Sequence, residues 1–252
     1  MSAVPHTWLL VDNSNGRTKF LLSRDGELSS TPAVLSTADI TPAALQELLG
    51  GWSYDAVLIA SVVPACRAAF EQFFTAVPLC FLTVESNTGI DFSAYSRTLG
   101  ADRVANAAGI PADGPLPAVA VDAGTAVTFD IVTEANGTRR FLGGVIAPGL
   151  PTLRGCLHSS TAQLPEAPLN EQATVLGTDT TTALQSGLLY GFIGSVREIL
   201  SALTLELGTR PHVIATGGDA PLLARHLPDV INDVDPLLTF RGLAAVSKRL
   251  SV

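Results

Sequence analysis

Two aspartates, Asp12 and Asp122, each close an apolar run and open a tight polar turn. Trp8–Val11 leads to Asp12, then Asn13-Ser14-Asn15-Gly16, and the chain returns through Arg17-Thr18-Lys19-Phe20. Ala118–Val121 leads to Asp122, then Ala123-Gly124-Thr125, and a second strand is predicted from Ala126. Runs rich in Val and Leu bounded by such turns read as strands and hairpins. A carboxylate at the lip of a strand, beside backbone N–H groups and a hydroxyl, suits a metal-bound phosphate. The carboxylate takes the cation, and the N–H and hydroxyl groups take phosphate oxygens. Gly124 has no Cβ, so a ligand could approach the backbone there. A lone Asp-x-Gly-Thr is equally well an ordinary hairpin turn. The recurrence of strand, Asp, turn and strand near the starts of both halves sets an internal duplication against chance similarity, and two half-similar domains facing each other would form a cleft.

A third candidate is Gly100-Ala101-Asp102-Arg103, ahead of a small-residue helix predicted over Val104–Gly109. Asp102 could accept a hydroxyl proton, and Arg103 could pair bidentately with a carboxylate substrate. A neighbouring Arg lowers an Asp pKa and weakens it as a base. Phosphoryl transfer tolerates this, because its loose transition state asks mostly for orientation. The alternative is a carboxylate complementing a helix dipole beside a surface Arg. Gly143-Gly144 and Thr216-Gly217-Gly218-Asp219 are further glycine turns able to cradle an anion. No Gly-x-x-x-x-Gly-Lys-Ser/Thr, no Gly-x-Gly-x-x-Gly after a strand and no Gly-x-Ser-x-Gly elbow occurs, and the four histidines show no zinc-ligand spacing.

The elements that must position these residues alternate between strand and helix, which predicts an α/β fold. A helix is expected over Pro42–Leu49, capped by Thr41 and stopped by Gly50-Gly51. A strand is expected over Asp55–Val63, a helix over Ala65–Ala76 with Phe70, Phe73 and Phe74 as core, and a strand over Leu79–Val84. Leu142–Gly149 carries Gly and Pro where the backbone must turn close to something, and Leu150–Leu157 reads as helix. A long helix follows Gly177-Thr178-Asp179-Thr180, with Gly187, Gly191 and Gly194 on one side, read as a close helix-packing face. His212–Ala215 is a strand, Pro221–His226 a short helix and Leu243–Leu250 the last helix. The Pro- and Gly-rich segment Pro111–Pro117 is the expected boundary, dividing the chain into residues 1–114 and 115–252.

Hydrophobic residues make up 47% of the 252, enough for a sizeable core. The net charge of −8 leaves no electrostatic footprint for nucleic acid. Any phosphate site must therefore rest on local backbone, cations and a few bases. The three cysteines fit neither a disulfide framework nor a metal pattern and read as small buried hydrophobes in a reducing compartment. No leader is indicated at Met1–Trp8, and no apolar run escapes Pro or charge long enough to predict a membrane span.

Taken in order, these pieces resemble the type III pantothenate kinase family. The matching stretches are Asp12–Lys19, Ser61-Val-Val-Pro64, Leu99-Gly-Ala-Asp-Arg103 with Asn106, Val121–Asp130 and Leu142–Gly149. Leu164-Pro165, Gly177-Thr-Asp-Thr180, Gln185-Ser-Gly187, Tyr190-Gly191, Thr216-Gly-Gly218 and Leu238-Thr239 with Gly242-Leu243 follow. The resemblance implies two tandem ribonuclease H-like domains with a cleft between them, as in sugar and acetate kinases, actin and heat-shock chaperones. It implies ATP-dependent phosphorylation of pantothenate to 4′-phosphopantothenate, the first step of coenzyme A synthesis. By position, Asp12, Asn13, Ser14, Asn15, Gly16, Arg17, Thr18 and Lys19 would hold the nucleotide phosphates, with Asp12 on Mg²⁺. Thr125 would contact ATP, and Asp122 would hold a monovalent cation, K⁺ or NH₄⁺. Asp102 would be the general base. Tyr95, Gly100, Ala101, Asp102, Arg103 and Thr180 would contact pantothenate. A cytoplasmic homodimer is implied, with no nucleic-acid or membrane partner.

Two departures stand out. The family's Asp-x-Gly-Asn-Thr/Ser is here Asp12-Asn-Ser14-Asn-Gly16, which removes a hydroxyl worth about 1.5–3 kcal/mol against a charged phosphate. Tyr95 sits at slightly short spacing and lacks the family's following Asn-Pro. A kinase for another small hydroxyl acid, or a catalytically weak homologue with a binding or regulatory role, are the alternatives these departures leave open.

Overall fold

The computed structural model describes residues 6–29, 31–171 and 174–250. Met1–Pro5, part of the stretch read above for a leader, lie outside the described residues. In chain order the elements begin with β1 (Thr7–Asn13), β2 (Arg17–Arg24), β3 (Glu27–Leu28), β4 (Ala33–Ser36), α1 (Pro42–Leu49), β5 (Ala56–Ser61), α2 (Arg67–Phe73), β6 (Leu79–Phe81) and α3 (Ala101–Gly109). Then come β7 (Ala118–Ala123), β8 (Ala126–Ala135), β9 (Thr138–Pro148), α4 (Leu150–Ser159), α5 (Thr180–Leu207), β10 (His212–Thr216), α6 (Ala220–His226), β11 (Asp233–Val234) and α7 (Leu238–Ser247).

The chain forms two compact units. One comprises Met1–Gly114, Ala135–Phe141 and Leu237–Val252; the other comprises Pro115–Glu134 and Leu142–Pro236. The division expected at 114/115 coincides with one break. The tip of the β8–β9 hairpin and the last helix, however, group with the first unit rather than the second.

Each unit holds one sheet, ordered β3-β2-β1-β5-β6 (with β4 also on β2) and β11-β10-β7-β8-β9. The two orders are the same order. In each, the first strand is central and pairs antiparallel with its hairpin partner on one side. On the other side it pairs parallel with a later strand, β5 or β10, and a further parallel strand, β6 or β11, lies beyond. This is the ribonuclease H-like arrangement, present twice. Asp12 and Asp122 take equivalent places, each the next-to-last residue of its central strand. The internal duplication is therefore a repeat of topology, not only of two hairpins.

Local chemistry explains the elements that matter. Thr41 Oγ1 accepts the Ala44 N–H at 3.2 Å and Pro42 opens α1, as a cap followed by proline should. Pro64 starts a short 3₁₀ turn, so α2 begins only at Arg67; Phe70 and Phe74 pack into the first core with Leu9, Val11, Phe20 and Ile59. Asn136 and Gly137 both have positive φ, as the tight β8–β9 turn demands. Asp179 caps α5 in a reciprocal capping box with Thr182. By length and composition α5 would suffice to cross a membrane, but Leu188, Leu189, Phe192, Val196 and Leu200 belong to the second unit's core.

Three expectations change. The glycines of α5 pack closely against nothing within this chain: a Cβ at Gly187, Gly191 or Gly194 would meet nothing within 4 Å among the described residues. Cys156 is exposed, not a buried hydrophobe, because α4 turns it outward; Cys66 alone of the three is buried. The last helix begins at Leu238, before Gly242 rather than after it. Gly242 lies inside α7 because a Cβ there would collide with the Ala105 carbonyl of α3. Gly109 of α3 makes the reciprocal approach to Leu238. The buried Thr239 hydroxyl donates to Asn106 Oδ1 at 2.7 Å and ties the two helices together.

Candidate active site

In the first unit, the β1–β2 turn is built around Asp12, which is 5% exposed. The Ser14 hydroxyl donates to Asp12 Oδ1 at 3.0 Å, and Lys19 Nζ, opposite Asp12 in the ladder, lies 3.3 Å from Oδ2. One carboxylate oxygen thus already carries an ammonium cation. Mg²⁺ is commonly held by one carboxylate together with substrate phosphates, and at Asp12 it would share that carboxylate with Lys19 and Ser14. The two substituted positions of the turn are unstrained, since neither Ser14 nor Gly16 has a positive φ. A Cβ at Gly16 would meet nothing within 4 Å. Asn15, Gly16 and Arg17 are exposed. Asn13 and Thr18 are buried and their side chains engage each other at 2.7 Å, so they brace the turn from behind.

Asp102 lies in the first turn of α3, with Gly100 as the residue before the helix. Its carboxylate folds back so that a Cβ on Gly100 would come within 2.5 Å of Oδ1, which is why this position has no side chain. Oδ1 accepts the Arg103 N–H at 2.7 Å. Burial pushes the Asp102 carboxyl above the usual carboxylate range, and the negative charge of Asp12 adds to the push. The Arg103 N–H and guanidinium pull it down but do not prevail. The expectation that Arg103 makes Asp102 a weak base is therefore corrected, because desolvation outweighs the neighbouring cation.

Arg103 is 5% exposed, not a surface residue. Its guanidinium carbon lies 5.6 Å from the Tyr95 ring and 5.8 Å from the Phe141 ring, and Nη1 donates to the Tyr95 hydroxyl at 3.3 Å. Tyr95 and Phe141 meet edge to face at 5.4 Å between centroids. Tyr95 thus joins the Asp102–Arg103 group despite its short spacing. Ala101 is buried and supplies packing. Tyr95 also lines a polar cleft of about 710 Å³ with the 84–93 loop, Arg97 and Thr138; Asp12, Asp102 and Arg103 do not line it.

In the second unit, Asp122 pairs in register with Thr128 and Thr216. Gly217 has φ +89° and runs so close that a Cβ would lie 2.5 Å from Asp122 Oδ1. The Asp122 carboxylate, with the Gly217 backbone close beside it, offers oxygen donors a monovalent cation could take. The Thr125 carbonyl accepts the Gly149 N–H at 3.0 Å and the Thr152 hydroxyl at 2.6 Å, while the residue itself is exposed. A Cβ on Gly149 would collide with the Gly124 carbonyl, which identifies what the Leu142–Gly149 segment turns close to. Burial also raises the Asp219 carboxyl at the end of the same glycine turn. Thr180 is the exposed first residue of α5.

The model of the type III pantothenate kinase family matches residues 8–202. A type III pantothenate kinase of Akkermansia muciniphila is 44% identical over 94% of this chain and 96% of its own. The chain belongs to the type III pantothenate kinase family. Among solved structures, a Baf family protein of Campylobacter jejuni is similar with a TM-score of 0.64 at 22% identity, covering 96% of this chain and 98% of its own. An activator of 2-hydroxyisocaproyl-CoA dehydratase from Clostridium difficile gives a TM-score of 0.52 at 14% identity, over 98% and 94%. These two likenesses speak for the fold, which agrees with the doubled sheet order.

Sequence reasoning missed several residues that build this member's site. Thr37 and Thr152 brace the two turns, and Phe141 backs Arg103. Ser61, quoted above only as part of a matching stretch, holds Asn13 Oδ1 at 2.6 Å. None carries a local signal, because each acts on a residue far away in the chain.

Proposed function

We propose that this family member transfers the γ-phosphoryl group of ATP to the primary hydroxyl of pantothenate, giving 4′-phosphopantothenate and ADP. The observation that carries this reading is Asp102: a carboxylate on a helix N-terminus, raised above its usual range, in the same unit as the Asp12 turn. A raised carboxylate is better matched to taking a proton near neutral pH. The hydroxyl proton passes to Asp102 as the oxygen attacks the γ-phosphorus and the bond to the β-phosphate oxygen breaks.

The other roles follow from the site. Asn15, Gly16, Arg17 and Lys19 take the nucleotide phosphates, supported by the exposure of the first three and by Lys19 reaching across to Asp12. Asp12 would hold Mg²⁺, which would offset phosphate charge. Thr125, exposed at its turn, is read as an ATP contact. Asp122, with the glycine turn at 216–218 running close beside it, would hold K⁺ or NH₄⁺. Arg103, held by Tyr95, binds pantothenate beside Gly100, with Ala101 packing the helix start behind them; Thr180, exposed at the start of α5, is read as a further pantothenate contact.

A homodimer and a cytoplasmic location belong to the same reading. Exposed Leu142, Ile146 and Tyr190, with the open glycine face of α5, support the first; three free cysteines support the second. A coupled assay of ADP formation, run with pantothenate and a panel of other small hydroxyl acids, with and without K⁺, tests the function. Pantothenate-dependent, K⁺-stimulated turnover is expected. Preference for another acceptor, or no turnover at saturating ATP and Mg²⁺, would overturn it.

A further inference from the structure

One buried residue far from the β1–β2 turn in sequence controls its path. Thr37 is 7% exposed and opens the short 3₁₀ turn after β4. Its hydroxyl donates to the Ser14 carbonyl at 2.6 Å, and its N–H donates to the Gly16 carbonyl at 3.2 Å. A hydroxyl has one proton, so the Thr37 Oγ1 contact with Thr18 Oγ1 at 3.0 Å must be donated by Thr18. Thr18 in turn accepts from Asn13 Nδ2 at 2.7 Å, and Asn13 Oδ1 accepts from Ser61 Oγ at 2.6 Å. Proton counting thus fixes one direction for the whole chain: Ser61 to Asn13 to Thr18 to Thr37 to the Ser14 carbonyl. Chains of buried hydrogen bonds polarise and reinforce one another. A trans peptide aims its N–H opposite its C=O, so clamping the Ser14 carbonyl also fixes the Asn15 N–H, on the side away from Thr37.

We propose that Thr37 is a positioning residue for nucleotide phosphate: it ends a one-way hydrogen-bond chain that sets the direction of the turn's backbone donors. The inference rests on the reading of Asp12–Lys19 as the phosphate-binding turn. Thr37→Val keeps the volume and removes both the donor to Ser14 and the acceptor for Thr18; Thr37→Ser keeps both.

The test measures binding of the Mg²⁺ complex of a non-hydrolysable ATP analogue and of adenosine by calorimetry, together with KM for ATP and for pantothenate. T37V is expected to weaken the analogue about tenfold and raise KM for ATP alike, with adenosine affinity and KM for pantothenate unchanged. T37S is expected within about twofold of the parent. Thr37→Cys, a weak donor of similar size, should fall between them, and stands in if T37V does not fold. If T37V binds the analogue normally while Lys19→Ala weakens it, Thr37 has no such role and the phosphate-turn reading survives. If neither variant changes analogue affinity, the phosphate-turn reading itself fails. If T37S is as poor as T37V, or adenosine and pantothenate are lost as well, the effect is general disruption and the proposal is overturned.

Discussion

Replacing Asp102 by Asn tests the assigned base and the physical cause of its pKa together. Asn has nearly the same shape and can still accept the Arg103 N–H, but it cannot take a proton. General-base catalysis contributes roughly 10²–10⁴ in rate, so kcat should fall by that factor while nucleotide affinity changes little. The structure also fixes the sign of a stability change. The folded carboxyl is raised, mainly by burial and further by the charge of Asp12. A folded pKa above the unfolded value means that the folded state holds the proton more tightly. Its stabilising share is complete below the unfolded pKa and is lost as pH rises through the folded one. At neutral pH the ionised group therefore destabilises the fold, by about 1.4 kcal/mol for each unit by which its pKa is raised. The Asn variant escapes this. It should melt higher than the parent at pH 7, by about 2–4 °C for each kcal/mol recovered, with the difference vanishing below about pH 4. Thermal melts from pH 4 to 8, beside single-turnover rates over the same range, read both effects. The parent rate should fall as pH drops through a pKa above the ordinary aspartate value. Near-parental kcat in D102N would remove Asp102 as the base. A lower melting temperature at pH 7 would show that the carboxylate is stabilised where it sits and that the desolvation argument is wrong.

Other substitutions probe the scaffold and the two turns. Gly242→Ala places a Cβ against the Ala105 carbonyl; such overpacking costs about 1–3 kcal/mol, so the melting temperature should drop, and kcat should drop with it because α3 carries Asp102. Thr239→Val removes the donor to Asn106 and should destabilise by about 1–3 kcal/mol in chemical denaturation, whereas Thr239→Ser should not. Gly16→Ser enters open space at an unstrained φ. It should leave the melting temperature nearly unchanged and tighten ATP binding by about 10- to 150-fold, measured by calorimetry, if a hydroxyl there reaches a phosphate. Under native conditions a thiol reagent should modify Cys156 fastest and Cys66 only on unfolding, as mass spectrometry of the labelled peptides would show.

The legible parts of this chain are those in which neighbours in sequence decide the outcome. Thr41-Pro42 specifies its own helix start, and Asn136-Gly137 its own tight turn. The two Asp hairpins announced the two central strands because apolar runs and polar turns are local patterns. Gly242 was misread for the same reason. A glycine ahead of an apolar run looks like a boundary, yet its purpose is set by the Ala105 carbonyl of a helix more than half the chain away. The sign of the Asp102 pKa was equally out of reach. Sequence places Arg103 next to it, but burial, which outweighs that charge, is a property of the packed fold.

The substituted turn brings these two kinds of information together. Compared with the family motif alone, Asp12-Asn-Ser14-Asn-Gly16 looks like a damaged site, short of one glycine and one hydroxyl. Both changes lose their force in three dimensions. A glycine is required only where φ is positive or space is lacking, and position 14 meets neither condition, because the turn closes with Ser14 at ordinary φ. The Ser14 side chain then holds Asp12 Oδ1, while its carbonyl is held from behind by Thr37. The hydroxyl missing at position 16 is thus partly offset by one at position 14, which orients the carboxylate instead of touching phosphate. This argues for a competent enzyme with a rearranged turn over a binding protein that has lost its chemistry. It also separates the two by experiment: Ser14→Gly would restore the family residue and yet should lower kcat, because the Asp12 carboxylate loses its donor. A Ser14→Gly variant as fast as the parent, or faster, would mean that the hydroxyl is incidental and that the turn is the weakened site its sequence suggests.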